Sequence, residues 1–137
     1  MYAPAPSRVS LPAILVGLLG MAAGIAGALE ALAHHPGSHA YREADGRVRV
    51  EVASPVGDAC TTVGRVEAGA PTGVAAPAGA VPVTVRLQRP PGAPCATVVR
   101  TATGEAVLAV GREARTLHLY VIAPDGRVAA TERVPIR

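Results

Sequence analysis

The chain has 137 residues, which is enough for one small domain beside an apolar N-terminal segment. Its net charge is only +3, and every basic residue is an Arg interleaved with acidic residues. Three Tyr are the only aromatic side chains besides His, so the chain offers few rings on which nucleic-acid bases could stack. We therefore expect a protein that does not bind nucleic acid, with a core built from Val, Leu, Ile and Ala.

The first predicted element is an apolar helix. Residues 11–29 carry no charge, and these 19 residues span about 28 Å at ~1.5 Å per residue, close to the thickness of a bilayer core. Arg8 precedes the run and the next basic residue is Arg42, an asymmetry that leaves the N-terminus in the cytoplasm. We expect a cytoplasmic N-terminus (1–10), a single transmembrane helix (11–33) and a periplasmic C-terminal domain, anchored in a bacterial inner membrane.

A cleaved signal peptide is the alternative interpretation of the same segment. Ala31, Leu32 and Ala33 form an A-x-A sequence before His34, which is typical of a signal-peptidase site. The apolar run is longer than the usual signal core of about 7–15 residues, which favours a retained helix.

Small residues recur along this segment at spacings of three and four. Such spacing places them on one face of a helix, and Gly20 and Gly24 form a G-x-x-x-G pair within it. In lipid, close backbone approach through small residues lets one helix select another. The pattern predicts a helix-packing face made of Ala13, Gly17, Gly20, Gly24, Gly27 and Ala31.

A histidine-containing linker is predicted at residues 34–40. Pro36 and Gly37 end the helix, and His34, His35 and His39 lie within six residues of one another. Neutral imidazoles bind Cu and Zn, so these three are candidate metal ligands. A closed site needs a further ligand that the spacing does not supply, and interfacial polar side chains are the simpler interpretation. We expect no bound metal and no cofactor.

From residue 41 onward, apolar and polar residues alternate with a period of two, which predicts an all-β domain over residues 41–137. It indicates strands at 47–52, 81–88, 95–101, 106–110, 116–123 and 127–134, and a weaker one near 61–66. Turns are expected at residues 103–105 and 124–126, irregular loops at 68–80 and 89–94, and an edge position for the strand with Pro82. The expected fold is a small antiparallel sandwich of immunoglobulin-like type.

Cys60 and Cys95 are the only two cysteines. In an exported chain such a pair is expected to form a disulfide, worth about 3–4 kcal/mol for a closed loop of this length in the chain-entropy model.

No catalytic motif accompanies these features, since the chain lacks a nucleophile elbow, a P-loop and a dinucleotide-binding glycine motif. His118 is expected beside Tyr120 on the outer face of its strand, directed at solvent or at a partner. The sequence thus predicts a non-catalytic accessory subunit of a respiratory or photosynthetic membrane complex, in contact with lipid and with integral membrane subunits. The alternative function is a free periplasmic metal-binding or chaperone module with a cleaved signal.

Overall fold

The computed structural model describes residues 37–137, which are entirely β in their regular structure and contain no helix. Seven strands occur in this range, and they are rich in the β-branched residues that pleated, half-buried surfaces favour. The strands are β1 (His39–Arg42), β2 (Val48–Asp58), β3 (Thr62–Ala68), β4 (Val81–Gln88), β5 (Thr97–Leu108), β6 (Thr116–Ile122) and β7 (Val128–Pro135). Because β1 begins at His39, the β domain starts inside the predicted linker rather than at residue 41.

Two sheets share one buried core. The first has the strand order β1-β2-β5 and the second β3-β4-β6-β7. Alternation along β2 buries Val48, Val50 and Val52, while β6 buries Leu117 and Leu119 completely from the other side. These side chains belong to one hydrophobic cluster, so an aliphatic core without Phe or Trp joins the two sheets.

The predicted antiparallel pairing holds for four of the five strand pairs and is wrong for β4 and β6, which run parallel. After β4 the chain crosses into the other sheet as β5, which returns it to the end where β4 began. β6 therefore starts at that same end and runs in the same direction as β4. The predicted edge position of β4 is also wrong, since β4 lies between β3 and β6, with Pro82 near its first residue.

The predicted turn at residues 103–105 is absent, because these residues lie inside the single long strand β5. Gly104 has no positive φ, so it does not serve a turn. A Cβ built at Gly104 would lie 2.5 Å from Val63 Cγ1 and 2.8 Å from Val63 Cβ. Glycine is therefore required by the close approach of β3 to β5, and it marks the place where one side of the two sheets closes.

The opposite side of the two sheets closes through the backbone. Ala40 forms a parallel bridge with Ile136. The Arg42 N–H donates to the Arg137 carbonyl at 2.8 Å, and the Arg137 N–H donates to the Ala40 carbonyl at 3.0 Å. These bonds connect β1 of the first sheet to the chain that follows β7 of the second.

The predicted turn between β6 and β7 is confirmed. The Ala123 N–H donates to the Arg127 carbonyl at 2.8 Å, and Gly126 has the positive φ of 88° that such a turn requires. The weaker predicted strand near residues 61–66 is confirmed as β3.

Candidate functional site

The predicted helix-packing face lies outside the described residues, as do the N-terminal segment 1–10 and the apolar run 11–33. The residues concerned are Ala13, Gly17, Gly20, Gly24, Gly27 and Ala31. Within residues 37–137, no helix of the length and apolarity needed to cross a membrane occurs.

Of the three linker histidines, His39 alone lies among the described residues, since His34 and His35 precede them. His39 is exposed at the start of β1, and its ring centroid is 6.3 Å from that of Tyr41. Its Cα partner on β2 is Glu51. In the part of the chain that the structure describes, His39 belongs to no group of three converging metal-ligand atoms.

His39 and Tyr41 lie on the solvent side of the first sheet, which we call the outer face of the three-stranded sheet. The strand register places two rows of side chains across it, namely His39–Glu51–Glu105 and Tyr41–Arg49–Val107. Tyr41 and Val107 are each 37% exposed, so one row carries apolar surface and the other carries carboxylates. Aromatic and aliphatic side chains beside charged ones are a composition that can contact another protein.

Arg49 is held in a fixed position on this face. Its guanidinium donates to Glu43 Oε1 from Nε at 2.8 Å and from Nη2 at 2.6 Å, and Nη1 contacts Glu105. The hydrogen bond with Glu43 and the charge of Glu105 raise the pKa of Arg49 above its ordinary value. Among residues 37–137, Glu51 makes no ion pair, so its carboxylate is available to a cationic group.

A shallow groove of about 410 Å³ adjoins the same face. It exists because β1 begins at His39, whereas β2 and β5 continue beyond that level. Its lining includes the acidic residues Glu51 and Glu105 and the small residues Gly37, Ala53 and Thr103. The two acidic residues make the groove suited to contact with a basic side chain.

The second notable cluster surrounds the cysteines. The Cys60 and Cys95 sulfur atoms are 2.04 Å apart with a Cα–Cα distance of 5.6 Å, which agrees with the predicted disulfide. The Asp58 carboxylate accepts hydrogen bonds from the N–H groups of Cys60 and Thr61 at 2.8 and 2.7 Å, and from Thr61 Oγ1 at 2.7 Å. The two bonds from Thr61 and the one from Cys60 lower the pKa of Asp58.

Arg100 fixes the same corner from β5. Its guanidinium donates to the carbonyl oxygens of Asp58 at 3.0 Å and Ala59 at 3.3 Å, and it also contacts the Thr61 carbonyl. The two cysteines were predicted from the sequence, whereas Asp58 and Arg100 were not. Asp58 could have been found from the sequence because it stands two residues before Cys60 and three before Thr61, and an Asp at this spacing forms an Asx turn with the following N–H groups.

His118 and Tyr120 lie on the outer side of the second sheet, as predicted, and His118 is half-buried there. Tyr120 is buried, and its hydroxyl donates to the Ala75 carbonyl at 3.3 Å. His118 Nδ1 is buried and has no hydrogen-bond partner among residues 37–137, and the centroids of the His118 and Tyr120 rings are 4.7 Å apart. The loop between β3 and β4 covers this side of the sheet.

Comparison with protein-family models, with curated proteins and with solved structures gives no match for this chain. The residues themselves therefore carry the functional argument. Two clusters stand out in the described range: the outer face of the three-stranded sheet, suited to contact with another protein, and the corner around Cys60 and Cys95.

Proposed function

We propose that this chain is a non-catalytic accessory subunit of a bacterial membrane complex of respiratory or photosynthetic type. A single helix over residues 11–33 holds it in the inner membrane, and the β domain lies on the periplasmic side. Its partners are integral membrane subunits and lipid, and it needs no cofactor for this role.

The observation that carries the proposal is the row of small residues in an apolar segment of membrane-spanning length. A helix that only tethers a domain gains nothing from a continuous small face, because lipid packs well against Leu. A helix that packs against another helix does gain from it, because the two backbones approach closely. Gly20 and Gly24 stand at the centre of this face.

The β domain supports the same proposal through its surface. The outer face of the three-stranded sheet presents Tyr41 and Val107 beside Arg49, which Glu43 and Glu105 hold in place, and beside Glu51, which makes no ion pair within residues 37–137; this composition suits docking of a protein. We propose that the two sheets form a sandwich of the general immunoglobulin-like type, modified by the parallel β4–β6 pair. Such a rigid unit braces a neighbouring subunit or receives a soluble one.

The test is a double substitution, Gly20→Leu with Gly24→Leu, in the full-length protein expressed in its native membrane. The bulk added to the small face should release the protein from its complex while leaving it in the membrane fraction. Ala22→Leu is the control for position, since it adds bulk to the opposite, Leu-rich face and should leave the complex intact.

Unchanged co-purification of the double variant in mild detergent would contradict the proposed packing face. A protein found in the soluble periplasmic fraction, lacking residues 1–33, would instead support the free periplasmic module.

A further inference from the structure

The corner around the disulfide brings three metal-ligand atoms together. One carboxylate oxygen of Asp58 and the sulfur atoms of Cys60 and Cys95 all lie within 4.8 Å of one another. Two thiolates and a carboxylate are ligands that zinc accepts in tetrahedral sites. With Zn–S bonds of ~2.3 Å, two sulfur ligands of a tetrahedral ion stand about 3.8 Å apart. The Cα–Cα distance of 5.6 Å leaves room for that separation after small side-chain rotations.

Bonds other than the disulfide hold the two cysteine-bearing segments together. The Ala59 N–H donates to the Ala96 carbonyl at 3.0 Å, immediately beside both cysteines. Asp58 pairs with Thr97 at the end of the β2–β5 ladder, and Arg100 on β5 donates to the Asp58 carbonyl at 3.0 Å. These bonds hold the two segments beside each other independently of the disulfide.

We propose that the reduced form of this corner binds one thiophilic divalent cation, with Asp58, Cys60 and Cys95 as its ligands and Zn²⁺ as the representative ion. A dithiol or phosphine reductant supplies two electrons and the disulfide takes up two protons, so that one S–S bond becomes two S–H groups. The cation then replaces both thiol protons, which pass to solvent, and water fills the fourth position.

The charges around the corner suit this site. Two thiolates and one carboxylate carry three negative charges, and the cation offsets two of them. Arg100 stands against the backbone of the same turn, and Arg89 acts on Asp58 through its charge. The Asp58 carboxylate already accepts three hydrogen bonds, so it is fixed in direction before a cation arrives.

The experiment titrates Co²⁺ into full-length protein in mild detergent, before and after anaerobic reduction with a phosphine. Co²⁺ reports thiolate ligation by an intense near-ultraviolet band and tetrahedral geometry by its visible bands. The reduced protein should bind one Co²⁺ per chain with both signals, and Zn²⁺ should displace it. The oxidised protein should show no thiolate band.

Three variants identify the ligands. Cys60→Ser should reduce the thiolate band, because only the Cys95 sulfur remains, and Asp58→Asn should weaken binding by at least the 10–100-fold typical of losing an outer-sphere partner. Asp45→Asn is the matched control, because Asp45 accepts from the Arg47 N–H at 3.0 Å in a similar turn remote from the cysteines. It should leave the affinity unchanged.

Either of two results would overturn the proposal. One is a reduced protein whose Co²⁺ spectrum equals that of the Cys60→Ser variant. The other is loss of the far-ultraviolet β signal on reduction, because the corner must persist without its disulfide. Binding through His34, His35 and His39 would differ from the proposed site, since it would need no reduction and would show no thiolate band.

Discussion

Replacing Gly104 with Ala should strain the contact between β5 and β3. The new Cβ would meet Val63 at 2.5 and 2.8 Å, whereas carbon atoms in ordinary contact are about 3.5–4.0 Å apart. Val63 is β-branched and cannot swing away, so a strand must move by about 1 Å. Overpacking of this kind costs about 1–3 kcal/mol, and the gain from replacing Gly by Ala inside a strand offsets about 0.5–1 kcal/mol of it.

A double-mutant cycle isolates this strain. Val63→Ala removes the 2.5 Å contact and leaves the one at 2.8 Å, so Gly104→Ala should cost about 1–2 kcal/mol less in that background than in the wild type. Gly57→Ala is the matched control, because a Cβ there meets nothing within 4 Å and φ is not positive. It should be neutral or stabilise the domain by about 0.4–1 kcal/mol.

The assay is urea unfolding of a fragment covering residues 36–137, which forms a compact unit, followed by far-ultraviolet circular dichroism. For a domain of this size, 1 kcal/mol also shifts the Tm by about 4–8 °C. If Gly104→Ala were as harmless as Gly57→Ala, with no coupling to Val63, the close approach of β3 and β5 would be refuted.

Two further predictions concern single side chains. The Arg42 guanidinium donates to carbonyl oxygens of both loops beside it, among them Gly46 at 2.9 Å and Ala114 at 2.9 Å. Arg42→Met should therefore lower the free energy of unfolding by about 1–3 kcal/mol and speed amide exchange in those loops. Arg65→Met, at a largely exposed position, is the control and should change stability by less than about 0.5 kcal/mol. Hydrogen bonds lower the pKa of Asp58 below the ordinary 3.8, so its charged carboxylate stabilises the fold above pH 3.8. This stabilisation is lost as the pH falls through the lowered pKa. Asp58→Asn should therefore flatten this part of a stability profile recorded from pH 5 to about pH 2.

Strand positions were largely predictable from the sequence because alternation reports directly which side chains face a core. The strand with Val83 and Val85 was placed with its observed ends, and the turn at Gly126 follows from its Pro-Asp-Gly sequence. Alternation does not report which strands are neighbours. The parallel β4–β6 pair depends on β5 crossing between sheets, which no local pattern contains.

Gly104 shows a second limit. Glycine inside an alternating run has two physical causes, a turn or a close approach of another chain segment, and the sequence alone does not separate them. Tyr120 shows a third, since its burial depends on the loop between β3 and β4, whose path over the sheet leaves no periodic trace. The disulfide was predictable from cysteine number, but the support from Asp58 and Arg100 required the fold.

The most direct test of the proposed function is the mass of the native protein, measured together with the identity of what accompanies it from the membrane in mild detergent. We predict a polypeptide that retains residues 11–33 and is isolated in fixed stoichiometry with integral membrane subunits. A polypeptide beginning at His34, recovered alone from the soluble periplasm, would contradict the proposal.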